Sequence, residues 1–206
     1  MHEDITTIKS GGIVNTNVTG VPFIKINSNL RKIPQYNYIF ETNYITRGNT
    51  EVVVATITLA GGNGAYAATV DSKHKMIWAT NYDSNKVYKI NPVTNIIEAT
   101  VTLVAGGNAR NICFDGNYVW VCNYGVSYLT KINTNTNTID SHVTLTTTTP
   151  YGIFFDGDYI WSCEFTRVSK INPSTNAIIT TFSLSTNSYN GCFDGYYIWV
   201  ANFSQN

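Results

Sequence analysis

An all-β fold of repeated four-stranded sheets set around an axis is what this sequence predicts, and three observations carry it. Blocks of residues recur at a period of about 40, a spacing typical of such sheets. Each block holds four short apolar or alternating runs rich in Val, Ile, Thr, Tyr and Trp. Turn-forming pairs (Asp-Gly, Asn-Pro, Thr-Asn) separate those runs, and no stretch shows a capped apolar period of three to four residues.

The clearest copy opens with a first strand, Asn111-Ile112-Cys113-Phe114, closed by the turn Asp115-Gly116. A second strand follows at Tyr118-Val119-Trp120-Val121-Cys122-Asn123-Tyr124 and a third at Tyr128-Leu129-Thr130-Lys131-Ile132-Asn133. The fourth covers Thr138-Ile139 and His142-Val143-Thr144-Leu145. The next copy repeats these blocks as Phe155-Asp156-Gly157, Ile160-Trp161, Lys170-Ile171-Asn172-Pro173 and Phe182-Ser183-Leu184. An earlier copy has Asp71, Ile77-Trp78 and Lys89-Ile90-Asn91-Pro92, with Ile57-Thr58-Leu59 as the fourth strand before it. A last copy contributes Phe193-Asp194-Gly195 and Ile198-Trp199. An isolated sheet of this kind cannot cover its two apolar faces, so the sheets stack as the blades of a β-propeller. The second-strand tryptophan then fills the wedge between neighbouring blades.

Upstream, Tyr38-Ile39-Phe40-Glu41-Thr42-Asn43-Tyr44 matches Met76–Tyr82 and predicts another second strand. Phe23-Ile24-Lys25-Ile26-Asn27 matches the third-strand block Val87–Asn91, which is the block missing after Trp199. The expectation is a single propeller of about five four-stranded blades. A shared N-/C-terminal blade closes it, the competing reading being a fragment of a longer propeller with an open end: residues near 22–33 give the outer strands and residues near 189–203 the inner ones. Closure of this kind removes the free sheet edges at the seam. The domain division is a polar arm at 1–20 and the propeller at 21–206.

Thirteen basic and 13 acidic residues give zero net charge, and Lys and Arg form no run. Nucleic acid and anionic membrane surfaces both select a basic patch, so neither is expected as a partner. No segment approaches the roughly 18 apolar residues of a membrane span, and the acidic start Met1-His2-Glu3-Asp4 does not resemble a signal peptide. Charged residues are only 13% of the chain, against about 25% in ordinary soluble domains. That surface suits self-association or display, in a virion or at an extracellular surface rather than in the cytoplasm. Cys113, Cys122, Cys163 and Cys192 exchange with small or apolar residues at equivalent repeat positions and form no Cys-x-x-Cys pair. They read as free buried thiols, with no metal site and no cofactor. The Asp-Gly pairs each offer one carboxylate, too few oxygens for calcium. Asn17-Val18-Thr19 fits a glycosylation sequon of the kind chance supplies in so Asn/Thr-rich a chain.

The run Tyr-Ile-Trp-x-x-Asn/Glu, then Val-x-Lys-Ile-Asn-Pro-x-Thr-Asn-x-Ile, then Thr-x-x-Leu resembles the YVTN-type propeller repeat and the related streptogramin-lyase (virginiamycin B lyase-like) repeat over roughly residues 22–206. The resemblance implies functional residues on one face, where each fourth strand passes to the next first strand and where each second strand ends. In the lyases a Pro-His-Gly pattern at the first of these places supplies a catalytic histidine. Here the run is Pro150-Tyr151-Gly152, and Tyr66, Arg110 and Tyr189 stand at the equivalent positions. His2, His74 and His142 fall elsewhere, although Glu164 matches the family's Trp-x-x-Glu. Proton transfer needs a group that changes charge near neutral pH, and a tyrosine serves only with a strongly lowered pKa. No catalytic residue is assigned, and the chain is not expected to be an enzyme.

The same repeat arithmetic gathers Tyr66, Arg110, Tyr151 and Tyr189 at the mouth of the channel, with the second-strand ends Asn81-Tyr82, Asn123-Tyr124 and Glu164-Phe165 on that face. Asn43-Tyr44 and Asn202-Phe203 are their counterparts in the outermost copies. Aromatic planes interleaved with amides suit sugars and flat ligands; equally, such Asn residues cap turns and such Tyr residues seal blade junctions. The leading expectation is a non-catalytic structural, display or protein-interaction module with protein partners or self-assembly. The alternative is a lectin-like propeller that binds a glycan on its Tyr/Asn face, and a streptogramin-lyase-like enzyme stands a distant third.

Overall fold

The computed structural model describes residues 55–62, 64–146 and 149–203, together with the backbone of 37–39 and 43–45. The chain divides into two compact units, Met1–Asn37 and Tyr38–Asn206. The strand block at Phe23–Asn27, the arm and the far end of the proposed seam lie outside the described residues.

Every described regular element is a β-strand. β1 (Asn37–Ile39) and β2 (Asn43–Ile45) pair with each other as a two-stranded sheet. This corrects the single second strand expected over Tyr38–Tyr44. The copy lacks the features that hold the others: Pro34-Gln35-Tyr36-Asn37 replaces the Asp-Gly turn, and Phe40 stands at the tryptophan position. The expected strand at Ile57-Thr58-Leu59 is also absent, since residues 55–59 carry no ladder. Their apolar side chains still pack: Leu59 is buried and Ile57 lies against the Ile77, Tyr88 and Ile90 cluster.

Three four-stranded antiparallel sheets follow. The first is β3 (Ala65–Asp71), β4 (Met76–Asn81), β5 (Lys86–Asn91) and β6 (Ile96–Thr102), hydrogen-bonded in that order. The second is β7 (Ala109–Phe114), β8 (Tyr118–Asn123), β9 (Tyr128–Asn133) and β10 (Thr138–Thr144), again in sequence order. The third comprises β11 (Gly152–Phe155), β12 (Ile160–Ile171), β13 (Ile178–Phe193) and β14 (Ile198–Phe203).

The long strands of the third sheet each contain two strands of the repeat. Lys170 Nζ lies 5.4 Å from the Trp161 ring centroid, whereas nine extended residues span about 30 Å. β12 therefore doubles back, at Phe165, whose φ is +47°. β13 couples two copies. Its first half pairs with β12 (Ile171↔Ile178, Lys170↔Thr180), and its second half pairs with β14 (Cys192↔Trp199, Phe193↔Ile198). The first strands of successive copies are neighbours, β3 beside β7, β7 beside β11 and β11 beside β13.

Local turn chemistry follows the sequence signals. Asn133 Oδ1 accepts the Asn135 and Thr136 N–H groups, and Asn172 does the same for Ser174 and Thr175. Asn137 and Asn176 supply the left-handed residue that ends each turn (φ +58° and +61°). Gly116, Gly157 and Gly195 take φ between +98° and +107° in the Asp-Gly turns. The preceding aspartate is a clamp: Asp115 Oδ2 accepts Trp120 Nε1–H at 2.7 Å, and Asp156–Trp161 and Asp194–Trp199 repeat the bond at 2.7 and 2.8 Å.

The core lies between sheets, as a propeller requires. Trp78, Val87 and Val101 of the first sheet pack with Ala109, Val119 and Ile132 of the second. Trp120, Leu129 and Val143 of the second pack with Ile153, Ile160 and Ile171 of the third. Third-strand lysines latch one sheet to the next. Lys89 Nζ donates to Thr134 O and Asn137 Oδ1, both at 3.0 Å, and Lys131 Nζ to Pro173 O at 2.7 Å and Asn176 Oδ1 at 3.3 Å. Each ammonium also faces its own sheet's tryptophan, at 5.5, 5.2 and 5.4 Å for Lys89, Lys131 and Lys170.

All four cysteines are free, but only Cys113, Cys122 and Cys163 are buried. Cys192 is exposed, contrary to the expectation, because it sits on the final strand pair where neighbouring cover is missing among the described residues. Burial pushes the Cys113 and Cys122 thiols well above their usual value and Cys163 to about 12, with the Glu164 charge adding to the last.

Candidate functional site

Where β3, β7, β11 and β13 come together, a cavity of about 400 Å³ opens between tyrosine rings. Its walls include Tyr66, Tyr82, Arg110, Tyr124, Tyr151 and Tyr189. The placement follows from register. Ala65 pairs with Asn81 and Ala109 with Asn123, so Tyr66 and Arg110 each stand one step inside an equivalent pair. Tyr151 precedes β11, its N–H bonded to Cys163 O at 2.8 Å. Gly152 permits the approach of the next strand: a Cβ there would lie 2.5 Å from Tyr189 O and 2.6 Å from Asn190 Cα.

Arg110 is the centre of this cradle. Its guanidinium carbon lies 4.1 Å from the Tyr151 ring centroid, 4.9 Å from those of Tyr66 and Tyr124, and 5.9 Å from that of Tyr189. Nε donates to Tyr66 Oη at 2.7 Å. The rings also touch one another: Tyr66–Tyr82 and Tyr82–Tyr124 at 6.2 Å, Tyr124–Tyr151 at 5.0 Å and Tyr151–Tyr189 at 4.9 Å. Tyr151 Oη donates to Tyr124 Oη at 3.3 Å. Burial first, then the Tyr124 hydrogen bond and charge, push the Tyr151 phenol up to about 12, with Arg110 opposing. It keeps its proton near neutrality, the reverse of what a tyrosine base needs.

Six of the ten candidate residues thus converge, and four do not. Asn81 and Asn123 are fully buried rather than facing the cavity. Asn81 Oδ1 accepts Ser84 N–H, and Asn123 Nδ2 donates to Tyr128 O and Thr130 Oγ1. They hold the second-to-third strand connection, as the turn-capping reading of these amides expects, and do not line the cavity: a side chain alternating inward on the pleat cannot also face the mouth. Glu164, at the equivalent position, is fully buried as well. Phe165 supports the cradle from behind, its ring 5.0 Å from that of Tyr151. His74 bonds Asp71 at 2.7 Å and Asn135 at 3.0 Å, and His142 packs on Tyr128 at 4.5 Å; neither lines the cavity. Gly64 and Ala65 line it without having been singled out, since small residues carry no chemical signature. Among the described residues no group of His, Cys, Asp and Glu is arranged to hold a metal ion.

No family model matches this chain, and no curated protein does either. Solved structures do. Virginiamycin B lyase from Staphylococcus aureus superposes with a TM-score of 0.66 at 18% identity, over 78% of this chain and 55% of the lyase. Hydrazine synthase from Kuenenia stuttgartiensis gives 0.57 at 13% identity, over 62% of this chain and 38% of that one. The WD40 repeats of RRP9 give 0.57 at 11%, over 62% and 41%. The chain is an all-β protein with the blade architecture of β-propellers. It spans about two fifths to just over half the length of these three structures, and identity so low speaks for the fold alone.

Proposed function

We propose that this chain is a non-catalytic binding module that holds its ligand in the tyrosine cradle around Arg110. The observation that carries the reading is convergence: Tyr66, Arg110, Tyr151 and Tyr189, from four successive first-strand positions, wall one cavity. Its volume falls within the roughly 300–1,000 Å³ of ligand sites. The lyase resemblance supplies no histidine here, and Glu164 is buried away from the cavity. A thermal-shift and titration screen of sugars, peptides and small planar compounds tests it. Stabilising ligands should lose their effect in Tyr66→Ala/Tyr189→Ala, two residues 47% and 42% exposed, with the variant's cooperative unfolding checked first. No hit, or hits indifferent to the double substitution, removes the reading.

A second reading, a structural or display module that associates with itself or another protein, is favoured by the exposed aromatic side chains of the last hairpin turn, Tyr196 and Tyr197. Sedimentation analysis tests it; a monomer at high concentration counts against it. We further propose that the propeller has about five blades and closes through a shared sheet, with Phe23–Asn27 beside β14. Three sheets each pair a second-strand tryptophan with a third-strand lysine. Trp199 and Lys25 are the two members left over in the sequence. A disulfide trap between cysteines placed in 22–27 and in β14 should form readily; its failure would refute closure.

A further inference from the structure

The cradle holds a cation whose chemistry is only partly used. Nε of Arg110 is committed to Tyr66, while its two terminal amino groups make no hydrogen bond among the described residues. Neither the His74–Asp71 nor the Lys131–Asp140 ion pair involves Arg110. The phenol rings lend the guanidinium cation–π stabilisation, and Tyr66 fixes its plane. What is left is an oriented fork of donors facing a cavity, the geometry that takes an anion through two parallel charge-assisted hydrogen bonds.

We propose that the cradle recognises an acidic sugar: one pyranose ring bearing a carboxylate, with the carboxylate on Arg110 and the ring's C–H face on the tyrosines. This rests on the binding-module reading and narrows it. Among the described residues Arg110 is the sole cationic side chain lining the cavity. One positive charge matches a monoanion better than a phosphate dianion, which draws on several donors and charges. The body of the ligand is set by the walls. Tyr66 and Tyr189, both exposed, offer apolar ring faces with hydroxyl edges, complementary to a sugar's alternating C–H and O–H surface, and buried Tyr151 backs the guanidinium. A peptide C-terminus would be captured instead by a nest of backbone N–H groups, whereas the polar groups contributed here by side chains are phenols and one guanidinium.

The test is calorimetric titration of the full chain with glucuronate, N-acetylneuraminate, glucuronate methyl ester and acetyl-Gly-Gly carboxylate. At least one of the two acidic sugars should bind saturably at one site. The methyl ester, which keeps the shape and loses the charge, should bind about tenfold or more weaker, the weight of a charge-assisted hydrogen bond. Arg110→Gln should lose a similar factor and Tyr66→Phe a few-fold, each with an unfolding temperature near that of the parent chain. Equal binding of acid and ester, or undiminished acid binding by Arg110→Gln, overturns the acidic-sugar assignment and leaves the binding module standing. Arg110-dependent binding of the peptide carboxylate without either acidic sugar overturns it in favour of a peptide terminus. Silence from all four probes, combined with an empty ligand screen, overturns the assignment and the binding module together.

Discussion

The second sheet and the final strand pair carry the same local motif in opposite surroundings. Trp120 and Trp199 each donate an indole N–H to the aspartate of their own Asp-Gly turn, at 2.7 and 2.8 Å. Trp120 is 0% exposed, packed between β8 and the third sheet, and Trp199 is 59% exposed. The hydrogen bond is thus a property of one hairpin, closed within five residues, whereas burial belongs to the neighbour. A propeller blade forms its turn alone and acquires its core only when another blade arrives.

The largest expected effect tests that contrast directly. Trp120→Ala should cost about 3–5 kcal/mol, the range for deleting a buried aromatic, seen as a fall in the denaturant midpoint. Lys131→Met comes next. It keeps the stem over Trp120 but removes the donor to Pro173 O in the adjacent sheet, at about 1–3 kcal/mol for an orphaned buried acceptor. Gly152→Ala sharpens the comparison at the inner ring, where the added methyl meets Tyr189 O and Asn190 Cα and the strands must part. About 1–3 kcal/mol is expected for such overpacking, with ligand binding in the cradle weakened in the same variant.

Acid comes lower in the order. Partial burial alone would raise the Asp156 carboxyl, but bonds from the Trp161 indole and the Tyr159 and Asp158 N–H groups, with the Lys170 charge, hold it below the usual range. Its contribution is present above the unfolded pKa of about 3.9 and lost as pH falls through the lower folded value. Asp156→Asn should flatten the stability profile below about pH 4 while leaving the slope above it unchanged. The smallest effect is Trp199→Ala in a chain lacking residues 1–33, about 0.5 kcal/mol as for other exposed sites. With those residues present, shared-blade closure raises the cost toward that of Trp120; equal costs in both chains would break it.

Much of the architecture was legible in the residues, and the misses have physical causes. The Asp-Gly and Asn turns were readable because each is closed by bonds among three to five consecutive residues. The two short strands at Asn37–Ile39 and Asn43–Ile45 were misjudged because apolar alternation alone cannot tell one strand from a hairpin. Tyr66, Arg110, Tyr151 and Tyr189 could be grouped from repeat position, since equivalent positions in successive blades point at a common axis. Asn81 and Asn123 could not be separated from them, because whether an amide turns outward or inward depends on the pleat and on which backbone group lies within reach.

The sequence by itself determined the strand, the turn, the aspartate–tryptophan clamp and the spacing that sets like residues side by side, all of which depend on short-range backbone chemistry repeated at a fixed interval. Only the tertiary structure decided which tryptophans are buried, that third-strand lysines reach the neighbouring sheet, and that the Arg110 guanidinium packs against four tyrosine rings. Those outcomes depend on contacts between residues about forty positions apart, and such contacts exist only once one sheet has packed against the next.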